Sequence, residues 1–419
     1  MNYSVHGTLS GSVQAPVSKS DLHRLIIAAA LCPGDTTVIA PYTLNDDIRA
    51  TASIMEMAGA SIVFEKTHIT VRGILQPKQG FCADCRESGS TLRFLLPVLA
   101  ALNARCRFVG EGRLPQRPIT PLREQLEKHD VSFSAENLPF SISGQLRSGV
   151  YIFPGNVSSQ YITGLLLALP LLPGDSRIVL TSPLESQGYV DMTLSVLQRF
   201  GIGIDCPSPL EFSIRGGQSY RSPGRVTAEG DWSNGAFWLA AGALSGPVTV
   251  SGLQLSSLQG DKAVCTILEK MGANVRYQGD SITVEPGKLQ AVTIDGSQIP
   301  DIVPILAVVA AFAEGSSHIV NAGRLRIKES DRLTAVAQCL SAIGAQIQEG
   351  SDSLTITGKA VLQGGSVDSF GDHRIAMSMA IASLGCENPV RIADPLCVKK
   401  SYPGFYEEFS RLGGAVDVI

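Results

Sequence analysis

The ten residues LEKMGANVRY, Leu268 to Tyr277, decide the reading of this fold. A helix ends in LEKM, Gly272 follows, and a strand begins in ANVRY. A helix C-terminus that turns straight into a strand needs a residue with left-handed backbone, which Gly adopts without a Cβ penalty. The same pattern returns in MEMAGASIVF, QLEKHDVSFS, LQRFGIGIDC, LSAIGAQIQE and FSRLGGAVDV. The turn residues Gly59, Asp130, Gly201, Gly272, Gly344 and Gly413 follow one another at intervals of about seventy residues. Asp130 is the exception in type, and Asp tolerates the left-handed region. Six such units account for almost the whole chain, so the protein is built from internal repeats.

A second series keeps the same period: SKSDLHRLIIAAAL, SGSTLRFLLPVLAAL, VSSQYITGLLLALPLL, DWSNGAFWLAAGAL, PDIVPILAVVAAFA and GDHRIAMSMAIASL. Short polar residues lead into helices that are apolar nearly all round, which predicts burial on every side. Ser, Asp and Asn at these starts serve as N-caps. Capping does not ask for Lys19, Arg24, Gln160 or His373. A helix N-terminus presents unpaired N–H groups and about half a positive charge, so several aimed at one place form an anion site. β-Branched stretches such as Ser176 to Thr181, Val248 to Ser251 and Leu354 to Thr357 alternate with the helices, which is the signature of α/β units. Six units can make one ring, one solenoid or two domains of three; a length of 419 residues favours two domains.

Composition fits an ordinary globular protein, with 44% hydrophobic and 17% charged residues. A net charge of -4 without a basic block argues against nucleic acid and leaves anionic small molecules open. The N-terminal MNYSVHGTLSGSV has neither the basic nor the apolar region of a signal peptide, so a cytoplasmic location is expected. Apolar runs such as Tyr161 to Leu172 are shorter than the roughly 20 residues that span a bilayer, so no membrane partner is expected. Nine scattered Cys suit a reducing compartment. Cys82 and Cys85 have CxxC spacing but neither a second pair nor suitably spaced His, so no metal site is expected.

In order along the chain, APVSKSDLHR, ESGSTLRF, GRLPQRPITPL, GNVSSQYITGLLLALPLL, ESQGYVDMT, EGDWSNGAFWLAA, IPDIVPILAV, RIKESDRL, GDHRIAMSMAIA and DPLCVKKSYPGFYEEF resemble the 5-enolpyruvylshikimate-3-phosphate synthases of the enolpyruvyl transferase family. The likeness runs from about residue 14 to about residue 409 and touches every repeat. It implies an α/β fold of two similar domains, each of three βαβαββ repeats with buried helices, an inside-out barrel with the active site in the interdomain cleft. One domain, residues 1–17 plus 230–419, carries both termini; the other, 18–229, is inserted into it. The implied reaction moves the enolpyruvyl group of phosphoenolpyruvate to the 5-hydroxyl of shikimate 3-phosphate and releases phosphate, by addition and elimination through a tetrahedral intermediate. No metal or organic cofactor is implied, the partners are the two small-molecule substrates, and a monomer is expected.

Both substrates are anionic, so Arg and Lys must meet each phosphate and the carboxylate. By resemblance, Lys19, Ser20, Arg24, Ser158, Ser159, Gln160, Ser186, Asp301 and Lys328 contact shikimate 3-phosphate, with Tyr189 a further contact to its ring. Lys19, Gly89, Arg117, Gln160, Arg332, Arg374 and Lys400 face phosphoenolpyruvate. Asp301 and Glu329, assisted by Lys19 and Lys400, are the residues expected to move the protons. In RLRIKESDRL, Arg324 to Leu333, the alternation of Leu325 and Ile327 with arginines predicts a short strand and Ser330 a helix cap. Lys328, Glu329 and Arg332 are the site residues expected from this corner, with Arg324, Arg326 and Asp331 as structural partners.

Four positions depart from common family choices: Glu87 and Arg324 stand where Asn is frequent, and His23 and Val17 replace Asn and Gly. For Glu87 two outcomes are open: an extra carboxylate unwelcome beside phosphoenolpyruvate, or one that turns away and pairs with an arginine such as Arg93. A UDP-N-acetylglucosamine enolpyruvyl transferase is the nearest alternative, but that group carries a Cys in the loop where this chain reads Gly112 to Arg117 without one. A non-catalytic anion-binding relative is the other; the presence of both Asp301 and Glu329 speaks against it.

Overall fold

The computed structural model describes residues 1–40 and 45–419. Among them are twelve α-helices: α1 (Lys19–Ala30), α2 (Asp46–Ala58), α3 (Gly89–Ala101), α4 (Thr120–Lys128), α5 (Ser159–Ala168), α6 (Gln187–Arg199), α7 (Trp232–Leu244), α8 (Ala263–Lys270), α9 (Val303–Ala310), α10 (Arg332–Ala342), α11 (His373–Ala382) and α12 (Phe405–Arg411). The odd-numbered helices are the apolar series and are buried almost throughout; α9 is buried at every residue. The even-numbered helices end at the repeated turns. Gly59, Asp130, Gly201, Gly272, Gly344 and Gly413 all have positive φ, from 66° to 121°.

Each repeat closes a four-stranded sheet, and six such sheets occur among the described residues. In the second repeat Phe81–Asp84 pairs parallel with Cys106–Val109 across α3, and Cys106–Val109 pairs antiparallel with Phe140–Ser143, which pairs antiparallel with Ser132–Phe133. One parallel crossover followed by a hairpin is the βαβαββ unit. The third, fifth and sixth repeats use the same order. The first and fourth exchange a strand: Arg225–Thr227 pairs parallel with Asp35–Ile39, and Gly11–Gln14 with Val248–Ser251. The sixth sheet takes Asn2–Gly7 between Val390–Ala393 and Gly414–Val418.

The chain divides into two compact units, Met1–Pro16 with Glu229–Ile419, and Val17–Ala228. Each has its own apolar core, centred on α7, α9 and α11 in the first and on α1, α3 and α5 in the second. No helix among the described residues is long and apolar enough to cross a membrane.

The expected strand at Leu325 and Ile327 is instead a 3-10 helix, Gly323–Ile327. Asn321, with φ of 56°, turns the chain at the end of the strand Ser316–Val320, and only Leu325 points inward while Ile327 is 40% exposed. The cap of α10 is Asp331, whose carboxylate accepts from Thr334 N at 3.2 Å, not Ser330. Ser330 is turned to Asp372 Oδ2 at 3.0 Å.

Packing between α3 and α5 leaves no room at Gly164, where a β-carbon would strike the Arg93 carbonyl and come within 2.8 Å of Pro97 Cγ. Gly164→Ala is expected to cost about 1–3 kcal/mol by overpacking, read as a lower urea midpoint. Gly203→Ala, which meets only Gln218 Oε1 at 4.0 Å, is the control that leaves the midpoint in place. Equal midpoints for both variants would show that the helices do not meet this closely.

Candidate active site

In the unit formed by Val17–Ala228, the candidate residues gather at the N-terminal ends of α1, α3 and α5. Ser18 caps α1 by accepting from Asp21 N, which leaves Lys19 in the first turn. Its Nζ donates to Asp47 Oδ2 at 2.8 Å. Arg24, one turn on, is buried; Nε donates to Thr193 Oγ1 at 2.8 Å and Nη2 to the Tyr189 carbonyl at 2.9 Å. Nη1 donates to the Ser20 carbonyl, and the guanidinium lies 5.1 Å from the Phe94 ring centre. Burial lowers its pKa to about 10, with Asp21 opposing, so it stays charged at neutral pH.

Gly89 opens α3 after its cap, Ser88. A β-carbon on Gly89 would stand 2.8 Å from Arg117 Nη1 and 2.5 Å from Arg93 Nη1, so two guanidiniums pack against this α-carbon and would have to shift for any larger residue. Arg93 Nη1 donates to Gln160 Oε1 at 2.9 Å, and Gln160 Nε2 to Ser90 Oγ at 2.9 Å. Ser158 caps α5 by accepting from Gln160 N, and Ser159 follows it, buried. Ser186 precedes α6 with φ of 56°, a conformation rare for a non-glycine residue and costly enough to need local support. Arg93 was not among the expected site residues; its place one turn into α3, beside Gly89, is the signal that could have found it.

His23 is buried, shares a 2.8 Å hydrogen bond with Thr51 Oγ1, and Thr51 shares one of 2.8 Å with Thr91. Burial, against the pull of Asp47, lowers its pKa to about 3, so it is neutral. It ties α1 to α2 and α3 from beneath.

The unit formed by Met1–Pro16 and Glu229–Ile419 holds the second cluster, organised by Arg332 in the first turn of α10. This side chain is 1% exposed and bonds three carboxylates: Nε to Asp372 Oδ2 at 2.8 Å, Nη1 to Asp301 Oδ1 at 2.8 Å, Nη2 to Glu329 Oε2 at 2.9 Å. Burial opposes its charge, but Asp372, Glu329 and Asp301 outweigh that and raise its pKa. Lys328 Nζ approaches Asp301 Oδ1 at 3.4 Å. Burial pushes its pKa down to about 8; Asp301 opposes the fall and Arg332 adds to it. The two expected proton-transfer residues, Asp301 and Glu329, are thus held by one guanidinium.

Arg374 follows Asp372 and His373 at the start of α11, 4% exposed; Nη1 donates to Asn234 Oδ1 at 3.4 Å, and its Nε has no hydrogen-bond partner among the described residues. Asn234 Nδ2 donates to the Ser401 carbonyl at 3.4 Å, one residue on from buried Lys400. Arg326 is a structural pin, bonded to Asp331, Glu349 and the carbonyls of Gly350 and Ser351.

Asp261 belongs to this cluster and was not foreseen, because QGDK reads as an exposed polar loop. It is 3% exposed and accepts a short bond from Ser233 Oγ in the first turn of α7. Burial first, then Asp301, raises its pKa from 3.8 to about 7. Between those values the folded chain keeps a proton that the unfolded chain has lost, so this group's stabilising contribution is full below 3.8 and lost as pH rises through about 7. Asp261→Asn should therefore lose more Tm relative to the parent at pH 5 than at pH 8; the same difference at both pH values would contradict the raised pKa.

The family described as EPSP synthase (3-phosphoshikimate 1-carboxyvinyltransferase) matches residues 4–409. A 3-phosphoshikimate 1-carboxyvinyltransferase of Clostridium perfringens is 47% identical over 411 residues, covering 97% of this chain and 96% of that one. Its counterpart in Clostridium kluyveri is 44% identical over 416 residues, covering 98% and 96%. The solved EPSP synthase of Acinetobacter baumannii superposes with a TM-score of 0.82 at 25% identity over 100% of both chains. The enolpyruvyl transferase NikO of Streptomyces tendae, at 20% identity and a TM-score of 0.78 over 99% of this chain and 98% of that one, shares the fold. Helix-end clusters of Lys, Arg, Ser and paired carboxylates, on six four-stranded sheets, are here joined to a relative 47% identical over nearly the full length, and the chain belongs to the EPSP synthase family.

Proposed function

We propose that this protein is a transferase that moves the enolpyruvyl group of phosphoenolpyruvate to the 5-hydroxyl of shikimate 3-phosphate and releases phosphate. The observation that carries the catalytic reading is the single guanidinium of Arg332 holding both Asp301 and Glu329. A chain that merely bound anions would have no need to hold a carboxylate pair in a fixed arrangement beside Lys328. The relatives named for the shikimate reaction, over nearly the full chain, weigh against the UDP-sugar alternative.

In this reading Lys19, Ser20, Arg24, Ser158, Ser159, Gln160, Ser186 and Lys328 hold shikimate 3-phosphate, and Gly89, Arg117, Gln160, Arg374 and Lys400 receive phosphoenolpyruvate. Arg332 gives four of its five N–H donors to carboxylates, so it fixes the acid–base pair, and its charge with the remaining Nη1 donor serves phosphoenolpyruvate. Asp301 takes the proton of the 5-hydroxyl as its oxygen bonds to C2 of phosphoenolpyruvate, and Glu329 delivers a proton to C3. The tetrahedral adduct then expels phosphate and returns a proton from C3, restoring the double bond. Fixed dipoles and cations at the helix ends serve the developing charge without reorganising. The nine cysteines are free thiols, as suits a cytoplasmic enzyme.

Phosphate release from phosphoenolpyruvate should require shikimate 3-phosphate; release triggered instead by UDP-N-acetylglucosamine would replace this reading with the other transferase. Glu329→Gln should keep the fold and substrate affinity and lose at least about a hundredfold in kcat, the usual scale of a general acid–base group. Near-parental turnover would remove Glu329 from the proton transfers.

A further inference from the structure

The turn that launches α3 and the loop that carries Arg117 are fastened to each other at two points. At one end Glu111 N donates to the Arg86 carbonyl at 2.8 Å, and Arg86 holds a left-handed φ of 47°. The next residue, Glu87, lays its carboxyl over the α-carbon of Gly112, where any β-carbon would collide with its Oε1 and Cδ. Gly112 itself has φ of 54°, which suits Gly on a second count. At the other end Arg93 Nη2 and Tyr161 OH both donate to the Pro118 carbonyl, at 3.0 and 2.6 Å. Between the fastenings a single 3-10 turn, Leu114–Gln116, delivers Arg117, whose guanidinium packs on Gly89.

We propose that Glu87 is a positioning residue: it latches the loop of residues 110–117 onto the Gly89 turn, and together with Gly112 it sets where Arg117 presents its charge and so tunes affinity for phosphoenolpyruvate. The proposal rests on the reading of Arg117 as a phosphoenolpyruvate group. Side-chain length carries the argument. Glu spans the gap to Gly112, whereas Asn at the same place is one methylene shorter. Gly112 in turn has to lack a side chain for the carboxyl to lie there. The two positions are therefore coupled, and the departure at Glu87 is a fitted part of this loop.

Steady-state kinetics on the full chain test this. Glu87→Ala should raise KM for phosphoenolpyruvate at least about tenfold, with KM for shikimate 3-phosphate within about twofold. Glu87→Gln, of equal length, should restore most of the affinity, and Glu87→Asn should not. Gly112→Ala should raise the same KM, yet add less than about twofold in the Glu87→Ala background, as residues in contact do. An unchanged phosphoenolpyruvate KM in Glu87→Ala, or additive losses in the double variant, overturns the latch. Arg117→Met separates the two readings: if it weakens phosphoenolpyruvate while Glu87→Ala does not, only the latch fails. If Arg117→Met leaves that KM unchanged, both fail.

Discussion

A helix that is apolar on every side can offer polar groups only at its ends, and this constraint shapes both units. α1, α3, α5, α7, α9 and α11 are buried along nearly their whole length. Hydrogen bonds join the N-terminal turns within each unit: Arg93 of α3 to Gln160 of α5, and Arg374 of α11 to Asn234 of α7. Close packing at Gly164 against the Arg93 carbonyl keeps α3 and α5 level. The chemistry enters at these turns, where unpaired N–H groups and the positive end of the helix dipole already favour anions.

Repetition then supplies a second corner, between the second strand of each unit and its even-numbered helix. Arg117 lies there before α4, Ser186 before α6, Lys328 and Glu329 before α10, and Lys400 before α12. Asp261 occupies the same corner before α8 in the fourth repeat. The candidate residues therefore come from two equivalent corners of a common unit, which explains why residues so far apart in sequence serve similar ends. It also shows why a left-handed residue recurs nearby: Arg86, Ser186, Phe370 and Asp394 all turn the chain between a strand and the element that follows.

Much of this was legible in the sequence because it is local. The turn glycines, the apolar helices and the polar starts are patterns a few residues long, and repetition six times over removes their ambiguity. What was not legible depends on distant partners. Arg24 bonds Thr193, 169 positions away, and Arg332 bonds Asp372, 40 positions away. Burial of Asp261 cannot be read from QGDK, and the strand exchange between the first and fourth repeats leaves no mark in either segment. The 3-10 turn at Gly323–Ile327 was misread as a strand for a related reason: alternation of Arg with Leu and Ile fits both, and the carbonyls of Gly350 and Ser351 that hold Arg326 decide between them.

The carboxylate cluster around Arg332 looks at first like a poor neighbour for anionic substrates. Its logic lies in which cations are committed and which are not. Arg332 bonds Asp301, Glu329 and Asp372 at 2.8–2.9 Å, so the carboxylates are oriented and part of their charge is offset before any ligand arrives. Desolvating such ions costs several kcal/mol each, and charge-assisted bonds of good geometry are what offset it. Because the acid–base pair is held by a buried arginine, Arg374, with its unpartnered Nε, need not be consumed in holding it. The separation of labour runs through the whole chain: Asp47 steadies Lys19, Gln160 steadies Arg93, and Gly89 leaves Arg117 the room to lie against it. An enzyme that must bind two polyanions and still move protons needs charges whose positions are set by the protein alone, and the helix ends are where this fold can set them.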